Sequence, residues 1–472
     1  MKQSNFLNVV KNIRGDKSIC YHSLYGVGNL QYLYDFKYIQ TLESFSSPRD
    51  ISELDQEQII ENLIDVGFIV KDDITPHIER MDHEKIVQNW LDKSINGKLI
   101  NYLNLSISEA CNFGCPHCSR SCTLQSNEKH AKKIMSWETA MSAIDFYFNL
   151  FESGHTNNGQ PDIHFGSDEP LLNKEVLKKS IDYIKGRYPD AILSINTNLS
   201  LLDEITAKVL INAKVDIITS LDGLKNANDK IRITKKSKGT FEVILQKTEL
   251  LRSLGYPLTG YITTILDRNF NDIGDEFIEW LNDSGFTSMA YDVDLVSTMS
   301  HTPNECVKKL MSLHSKAKEV GIKTGGVWRN PFDTLVNGAD DNMPSYCKAT
   351  KGRGISVDPI GRIFACSGSR VPLGNILSRP DEMFGVSSTY FKMLKSRLDR
   401  SNTFCANCPL EVVCSGQCFM TNDFSDVSLQ KENEHQNKRV NDLCYIYKKC
   451  TKHLILEKID EEENESIHDF SV

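Results

Sequence analysis

The distribution of cysteine constrains this chain more than any other feature. Of its 14 cysteines, three fall within residues 111–118 and eight lie beyond residue 346. Thiols scattered through a core would not cluster in this way. The N-terminus, MKQSNFLNVVKNIRGDK, lacks the apolar core and small-residue cleavage site of a secretory signal, which points to the cytoplasm. That compartment keeps thiols reduced, so the clusters read as metal ligands and not as a disulfide framework.

A length of 472 residues implies more than one domain. No segment approaches the roughly 18 uncharged apolar residues of a membrane span, so no membrane partner is expected. The formal net charge of −9 argues against a nucleic-acid partner, which would need a basic face.

From about residue 96 to residue 325 short β-prone runs alternate with amphipathic stretches. The strand candidates are Ile100–Ser108, Asp162–Gly166, Ala191–Asn198, Val215–Asp222, Pro257–Leu266 and Thr287–Val296. Helical segments such as Glu175–Lys185 and Phe241–Leu254 lie between them. Such alternation predicts a parallel sheet with crossover helices, and six repeats predict a partial (β/α)6 barrel. Residues 1–95 differ: a β-prone run at Gly28–Tyr38, a helical region at Asp55–Asp65 and GFIV at Gly67–Val70 fit a winged-helix-like module. Residues 340–450 are Cys-rich. Residues 451–472 are expected to be an acidic tail, with 458–472 poor in apolar residues and solvated.

Directly after the first barrel strand comes Cys111-Asn112-Phe113-Gly114-Cys115-Pro116-His117-Cys118, a CxxxCxxC spacing. Three thiolates on one loop can hold three irons of a four-iron cluster and leave the fourth open. The mouth at the C-terminal ends of parallel strands is where active sites form. A zinc site would call for paired knuckles, and the second pair is missing. Cys122, Cys20 and Cys306 read as incidental or structural thiols.

With these residues the sequence resembles the radical S-adenosylmethionine (SAM) superfamily. The resemblance implies that Cys111, Cys115 and Cys118 hold a [4Fe–4S] cluster whose open iron chelates SAM. Electron transfer then yields a 5′-deoxyadenosyl radical that takes hydrogen from the substrate. Phe165-Gly166-Ser167-Asp168-Glu169-Pro170-Leu171-Leu172 resembles the family's GGEPLL motif, which contacts the SAM amino group. Glu169 matches, while Ser167 and Asp168 stand where glycines would let the backbone approach closely. Asn196–Leu202 resembles the QTNGTLL segment near the ribose, which brings in Asn198. SLDG at Ser220–Gly223, then Arg232 and the KGTF stretch Lys238–Phe241, match members with peptide substrates. By that match Ser220 and Arg232 would bind the SAM carboxylate, a task suited to a guanidinium fork.

The second cluster runs Cys347, Gly361 to Cys366, Cys405-Ala406-Asn407-Cys408, Cys414, Cys418 and Cys444. A double zinc ribbon is the competing reading of such paired knuckles. The seven cysteines match the order of a SPASM domain, a C-terminal auxiliary iron–sulfur module. The resemblance implies two auxiliary [4Fe–4S] clusters, three clusters in all. Cys405, Cys408, Cys414 and Cys444 would ligate the outer one, and Cys347, Cys366 and Cys418 the inner one. The inner set is one thiol short: either the inner cluster has an open iron, or Cys450 or another thiol completes it.

SPASM-bearing enzymes mostly modify peptides or proteins, so the resemblance implies a precursor peptide as substrate and a reductant such as flavodoxin or ferredoxin; the module of residues 1–95 resembles the precursor-recognition region of ribosomal-peptide maturases, where a leader peptide would add as a strand to an exposed edge of its sheet. The expected reaction is an intramolecular cross-link, thioether or carbon–carbon. Peptide epimerisation, oxidation of a folded protein in the manner of sulfatase maturases, and a noncatalytic redox protein are the alternatives. A maturase-like general base would fall at Arg329, which cannot accept a proton.

Overall fold

The computed structural model describes residues 1–11, 17–25, 31–33, 36–51, 56–118, 134–154, 159–337, 345–369, 371–399, 405–418, 420–421 and 434–468. Cys122 lies outside them, as do parts of the Gly28–Tyr38 run.

Near the N-terminus, β2 (Leu7–Lys11), β3 (Ser18–His22) and β4 (Gln31–Leu33) form an antiparallel sheet in the order β2-β3-β4. The short β1 (Lys2–Gln3) pairs antiparallel with β5 (Ile69–Val70). Around them lie α1 (Phe36–Ser44), α2 (Glu57–Asp65) and α3 (Pro76–Ser94). Phe36 to Tyr38, expected as the end of a strand, are the first turn of α1. The α1–α2 pair closes its own small core around Phe45, Leu63 and Phe68. Thr75 caps α3, accepting from Ile78 N, with Pro76 in the first turn.

The six expected barrel strands are present: β6 (Tyr102–Leu105), β7 (Asp162–Phe165), β8 (Ile192–Asn196), β9 (Asp216–Ile218), β10 (Gly260–Ile265) and β11 (Ser288–Val293). Helices α4 (Trp137–Ser153), α5 (Lys174–Arg187), α6 (Glu204–Asn212), α7 (Lys225–Ile231), α8 (Phe241–Ser253), α9 (Asp275–Asp283) and α10 (Pro303–Glu319) intervene. β6 to β9 pair in parallel, a parallel bridge from Ser220 to Ile262 carries the array to β10, and β11 continues it. In β10 and β11 every second residue is buried against the helices, as Tyr261, Ile265, Met289 and Val293 show. The residues between them, such as Thr264 and Asp292, turn into the barrel mouth.

The parallel array extends one strand further at each side than expected. β12 (Lys323–Gly325) adds to β11, and β13 (Gly354–Val357), from the Cys-rich region, adds to β6. β14 (Arg362–Phe364) and β15 (Gly374–Asn375) continue antiparallel from β13. The boundary at residue 340 therefore does not separate two sheets, because Asn104 on β6 donates to Ser356 on β13 at 2.8 Å inside one continuous sheet.

After α11 (Asn330–Asn337), α12 (Pro380–Phe384), α13 (Thr389–Leu398) and α14 (Glu411–Cys414), the final helix α15 runs from Glu434 to His468. Within the stretch 458–472 expected to be solvated, Ile459 is buried instead, while residues 469–472 lie outside the described ones. Leu454, Ile455 and Ile459 are buried, and α15 packs on α10 and on β2 and β3. A few apolar residues in a largely charged stretch suffice to bury one stripe of a helix when a partner surface is present. The N-terminal module is also fastened to the Cys-rich region. Arg80 on α3 forks onto Glu411 at 2.7 and 2.9 Å, and Trp90 Nε1 donates to Lys351 O at 2.9 Å. Among the described residues no helix is long and apolar enough to cross a membrane.

Candidate active site

A cleft of about 330 Å³ opens at the C-terminal ends of the barrel strands. Cys111, Cys115, Cys118, Asn198, Ser220 and Arg232 all line it. Backbone pairing sets the cysteine loop in place. Gly114 N donates to Ile233 O at 2.7 Å and Phe113 bridges Thr234, which presses the loop against the segment after Arg232. Cys111 Sγ accepts from Phe113 N at 3.4 Å and from Asn198 Nδ2 at 3.7 Å. Asn112 links the same loop to the β8 end, accepting from Asn198 Nδ2 and donating to Ser200 Oγ.

Glu169 does not line the cleft. Its carboxylate is fully buried and accepts from Thr197 Oγ1 at 2.6 Å, Asn198 N at 2.8 Å and Leu171 N at 2.9 Å. Burial pushes its carboxyl above the ordinary value against these three donors. It thus ties the ends of β7 and β8 together and sets the backbone that presents Asn198. Its neighbours Ser167 and Asp168 are the ones that face the cleft. Ser167 keeps a glycine-like backbone, φ 142°, and its hydroxyl is buried without a hydrogen-bond partner. A Cβ on Gly166 would stand 2.4 Å from the His164 ring, so that glycine is required by space.

Arg232 approaches Asp222 through Nε at 2.6 Å and Nη2 at 3.3 Å, while Asp222 also accepts from Thr264 N. His117, inside the cysteine motif, lies 3.7 Å from Asp222, with Nδ1 buried and unpartnered. Burial pulls its ring below the ordinary value. Asp292 also lines the cleft. Burial raises its carboxyl to about 7, although Val327 N and Trp328 N both donate to it. Arg329 is not part of the cleft; from the turn before α11 it pairs with Asp333 on that helix.

The Cys-rich region forms two groups. Cys414 lies within electrostatic reach of Cys444, Cys405 and Cys408, and Cys418 within reach of Cys366 and Cys347. The turn between Cys414 and Cys418 takes left-handed backbone at Ser415, Gly416 and Gln417. Buried Arg397 stabilises it by donating through Nη1 to the carbonyls of all three residues, at 2.9–3.2 Å. Gln417 Nε2 donates to Cys444 Sγ at 3.0 Å. Tyr346, its hydroxyl buried and unpartnered, stands near Cys414, Cys418 and Cys347. Cys450 has Cys306 as its thiol neighbour and not the inner set. Among the described residues no three His, Cys, Asp or Glu side chains are drawn together as for a single metal ion.

Sequence reasoning gave no role to His117 or Met420. Met420, two residues past Cys418, lines the barrel cleft, and Thr421 Oγ1 donates to Leu295 O at 2.9 Å. Only tertiary contact reveals this, since the Cys-rich region closes over the barrel mouth.

A half-open parallel barrel with a cysteine trio at its mouth is the arrangement that the radical SAM resemblance implies. Residues 105–281 match the Radical SAM superfamily, so the chain carries a radical SAM domain, of a superfamily that binds SAM and a [4Fe–4S] cluster. The chain is similar to the radical SAM cyclopropyl synthase TigE of Paramaledivibacter caminithermalis, 26% identical over 440 residues, 88% of this chain and 89% of the relative. In fold it is similar to native anSMEcpe with bound AdoMet, at 18% identity and TM-score 0.59, covering 75% of this chain and 99% of that one. It is also similar in fold to Streptococcus suis SuiB bound to S-adenosylmethionine, at 12% identity and TM-score 0.54, covering 92% and 98%.

Proposed function

We propose that the protein is a peptide maturase that abstracts hydrogen from a precursor peptide and installs an intramolecular cross-link. The observation that carries this reading is the convergence of Cys111, Cys115, Cys118, Asn198, Ser220 and Arg232 on one cleft. The donor set fits the cofactors: three thiols on a pinned loop for a cluster, and a guanidinium and hydroxyls for a SAM carboxylate. When bound and reduced, that pair supplies a carbon-centred radical able to take a hydrogen atom. Asn198 and Asn112 hold the loop, Glu169 holds Asn198, and Asp222 orients Arg232. Cys405, Cys408, Cys414 and Cys444 would hold an outer auxiliary cluster, and Cys347, Cys366 and Cys418 an inner one, as electron acceptors.

A peptide substrate is supported by the fold shared with SuiB and anSMEcpe, structures of which are bound to the precursor peptide SuiA and to the Cp18Cys peptide. Between thioether and carbon–carbon products, likeness to a cyclopropyl synthase favours the second, because a cyclopropyl ring closes by a carbon–carbon bond. Cross-linking removes two hydrogens, one as an atom taken by the radical and one as a proton whose electron passes to an acceptor.

The test is anaerobic incubation with SAM, a reductant such as flavodoxin, and the peptide encoded beside the gene, followed by mass spectrometry. Loss of two hydrogens supports a cross-link. An unchanged mass in water, with deuterium gained from heavy water, indicates epimerisation, and an untouched peptide beside active SAM cleavage rejects a peptide substrate.

A further inference from the structure

A buried hydroxyl without a hydrogen-bond partner is costly, and folds rarely leave one. Tyr147, Tyr261, Tyr291 and Tyr390 are buried here and each hydroxyl is paired, with Asn101 O, Thr248 Oγ1, Leu310 O and Gly352 O, at 2.7–3.0 Å. Tyr447 breaks this pattern. It is 1% exposed, yet its hydroxyl has no partner, and the same holds for the buried hydroxyl of Tyr346.

These two hydroxyls share one neighbourhood. Tyr346 directly precedes Cys347, and Tyr447 follows Cys444 by three residues on α15, a spacing that sets both on one helix face. Both tyrosines stand near Cys414 of the outer set and Cys418 of the inner set, and near each other. Tyr447 also stands near Asp292, which lines the barrel cleft. It thus links the cleft wall to the boundary between the two cysteine sets. A phenol offers one O–H donor, and sulfur can accept it. Gln417 Nε2 already donates to Cys444 Sγ at 3.0 Å, so a thiol of this region serves as acceptor. A donor to the sulfur of an iron–sulfur cluster favours the reduced, more negative state and raises the reduction potential.

We propose that the Tyr346 and Tyr447 hydroxyls donate to sulfur at the boundary of the two auxiliary clusters and raise their reduction potential. The proposal rests on the auxiliary-cluster part of the reading above. Cross-linking releases one electron from the substrate, and an iron–sulfur cluster of raised potential gains it more readily. The two tyrosines are therefore positioning residues for electron removal and take no part in the radical step.

The test starts from a parent protein carrying Cys111→Ala, Cys115→Ala and Cys118→Ala, in which only auxiliary clusters titrate. It is loaded with iron and sulfide and followed by redox titration with electron paramagnetic resonance. Tyr346→Phe and Tyr447→Phe are each expected to lower an auxiliary midpoint potential by about 59 mV, a tenfold change for one electron and about the worth of one hydrogen bond. Tyr390→Phe, which removes a buried hydroxyl paired elsewhere, is expected to leave the potentials in place. Unchanged potentials in both tyrosine variants, or an equal shift in Tyr390→Phe, overturn the proposal. If neither variant takes up iron, 3-fluorotyrosine incorporated throughout the parent decides: this stronger donor is expected to raise the potential, and no rise overturns the proposal.

Iron content separates the two readings. About eight irons per parent chain, with potentials that the variants leave unmoved, overturn the tyrosine assignment and leave the auxiliary clusters intact. A parent that takes up no iron overturns the auxiliary clusters and, with them, the assignment.

Discussion

Ser167 shows how one residue carries the trace of a motif whose letters have changed. It stands where relatives of this class have glycine, and at φ 142° it holds a backbone conformation that side chains rarely adopt. Such a position costs about 1–3 kcal/mol, and its hydroxyl finds no hydrogen-bond partner in return. Ser167→Gly is therefore expected to raise Tm by calorimetry while SAM cleavage persists; a lower Tm would mean that the side chain stabilises the turn after all. Glu169, read from the motif as a contact to SAM, is instead enclosed by donors from Thr197, Asn198 and Leu171. The motif identifies the residue, but the direction of its carboxylate depends on a neighbouring strand end that sequence order does not reveal.

At the scale of elements, α3 is held by a buried carboxylate. Glu79 accepts from Ser4 Oγ and from Asn5 Nδ2 and N, beside His22. Burial opposes its ionisation, but the His22, Ser4 and Asn5 donors outweigh it and hold the carboxyl at about 2. Because the folded value lies below the unfolded one, the stabilisation of about 3 kcal/mol is complete above about pH 4.5 and is lost as pH falls toward 2. Glu79→Gln is expected to lower Tm at about pH 7, with the gap to wild type shrinking as pH falls from about 4.5 toward 2; a gap independent of pH would contradict this. The end of α15 gives a second case. Ile459 is fully buried although its surroundings in sequence are acidic. Ile459→Asp puts an unpaired charge into that contact and is expected to cost roughly 3 kcal/mol or more, seen as an early transition in urea. A solvated tail would show no change.

At the scale of the whole molecule, the Cys-rich region extends the barrel sheet through β13, roofs the cleft with Met420 and joins the N-terminal module through Arg80 and Glu411. Three four-iron clusters correspond to about twelve irons per chain. Cys405→Ala with Cys414→Ala is expected to remove about four of them by iron assay and keep SAM cleavage, whereas Cys111→Ala abolishes cleavage. Parity of iron between wild type and the double variant would refute the outer site. The sequence by itself determined the six parallel strands and the residues of the cysteine loop, because hydrophobic alternation and ligand spacing are local properties of a chain. It did not reveal β12, too short at three residues for any periodicity, or β13, whose partner β6 lies some 250 residues away. Nor could it show the burial of α15, because a weak apolar stripe becomes a core only when another surface faces it. The grouping of distant side chains around one cleft was decided by tertiary packing, which alone sets which groups meet and which are left exposed.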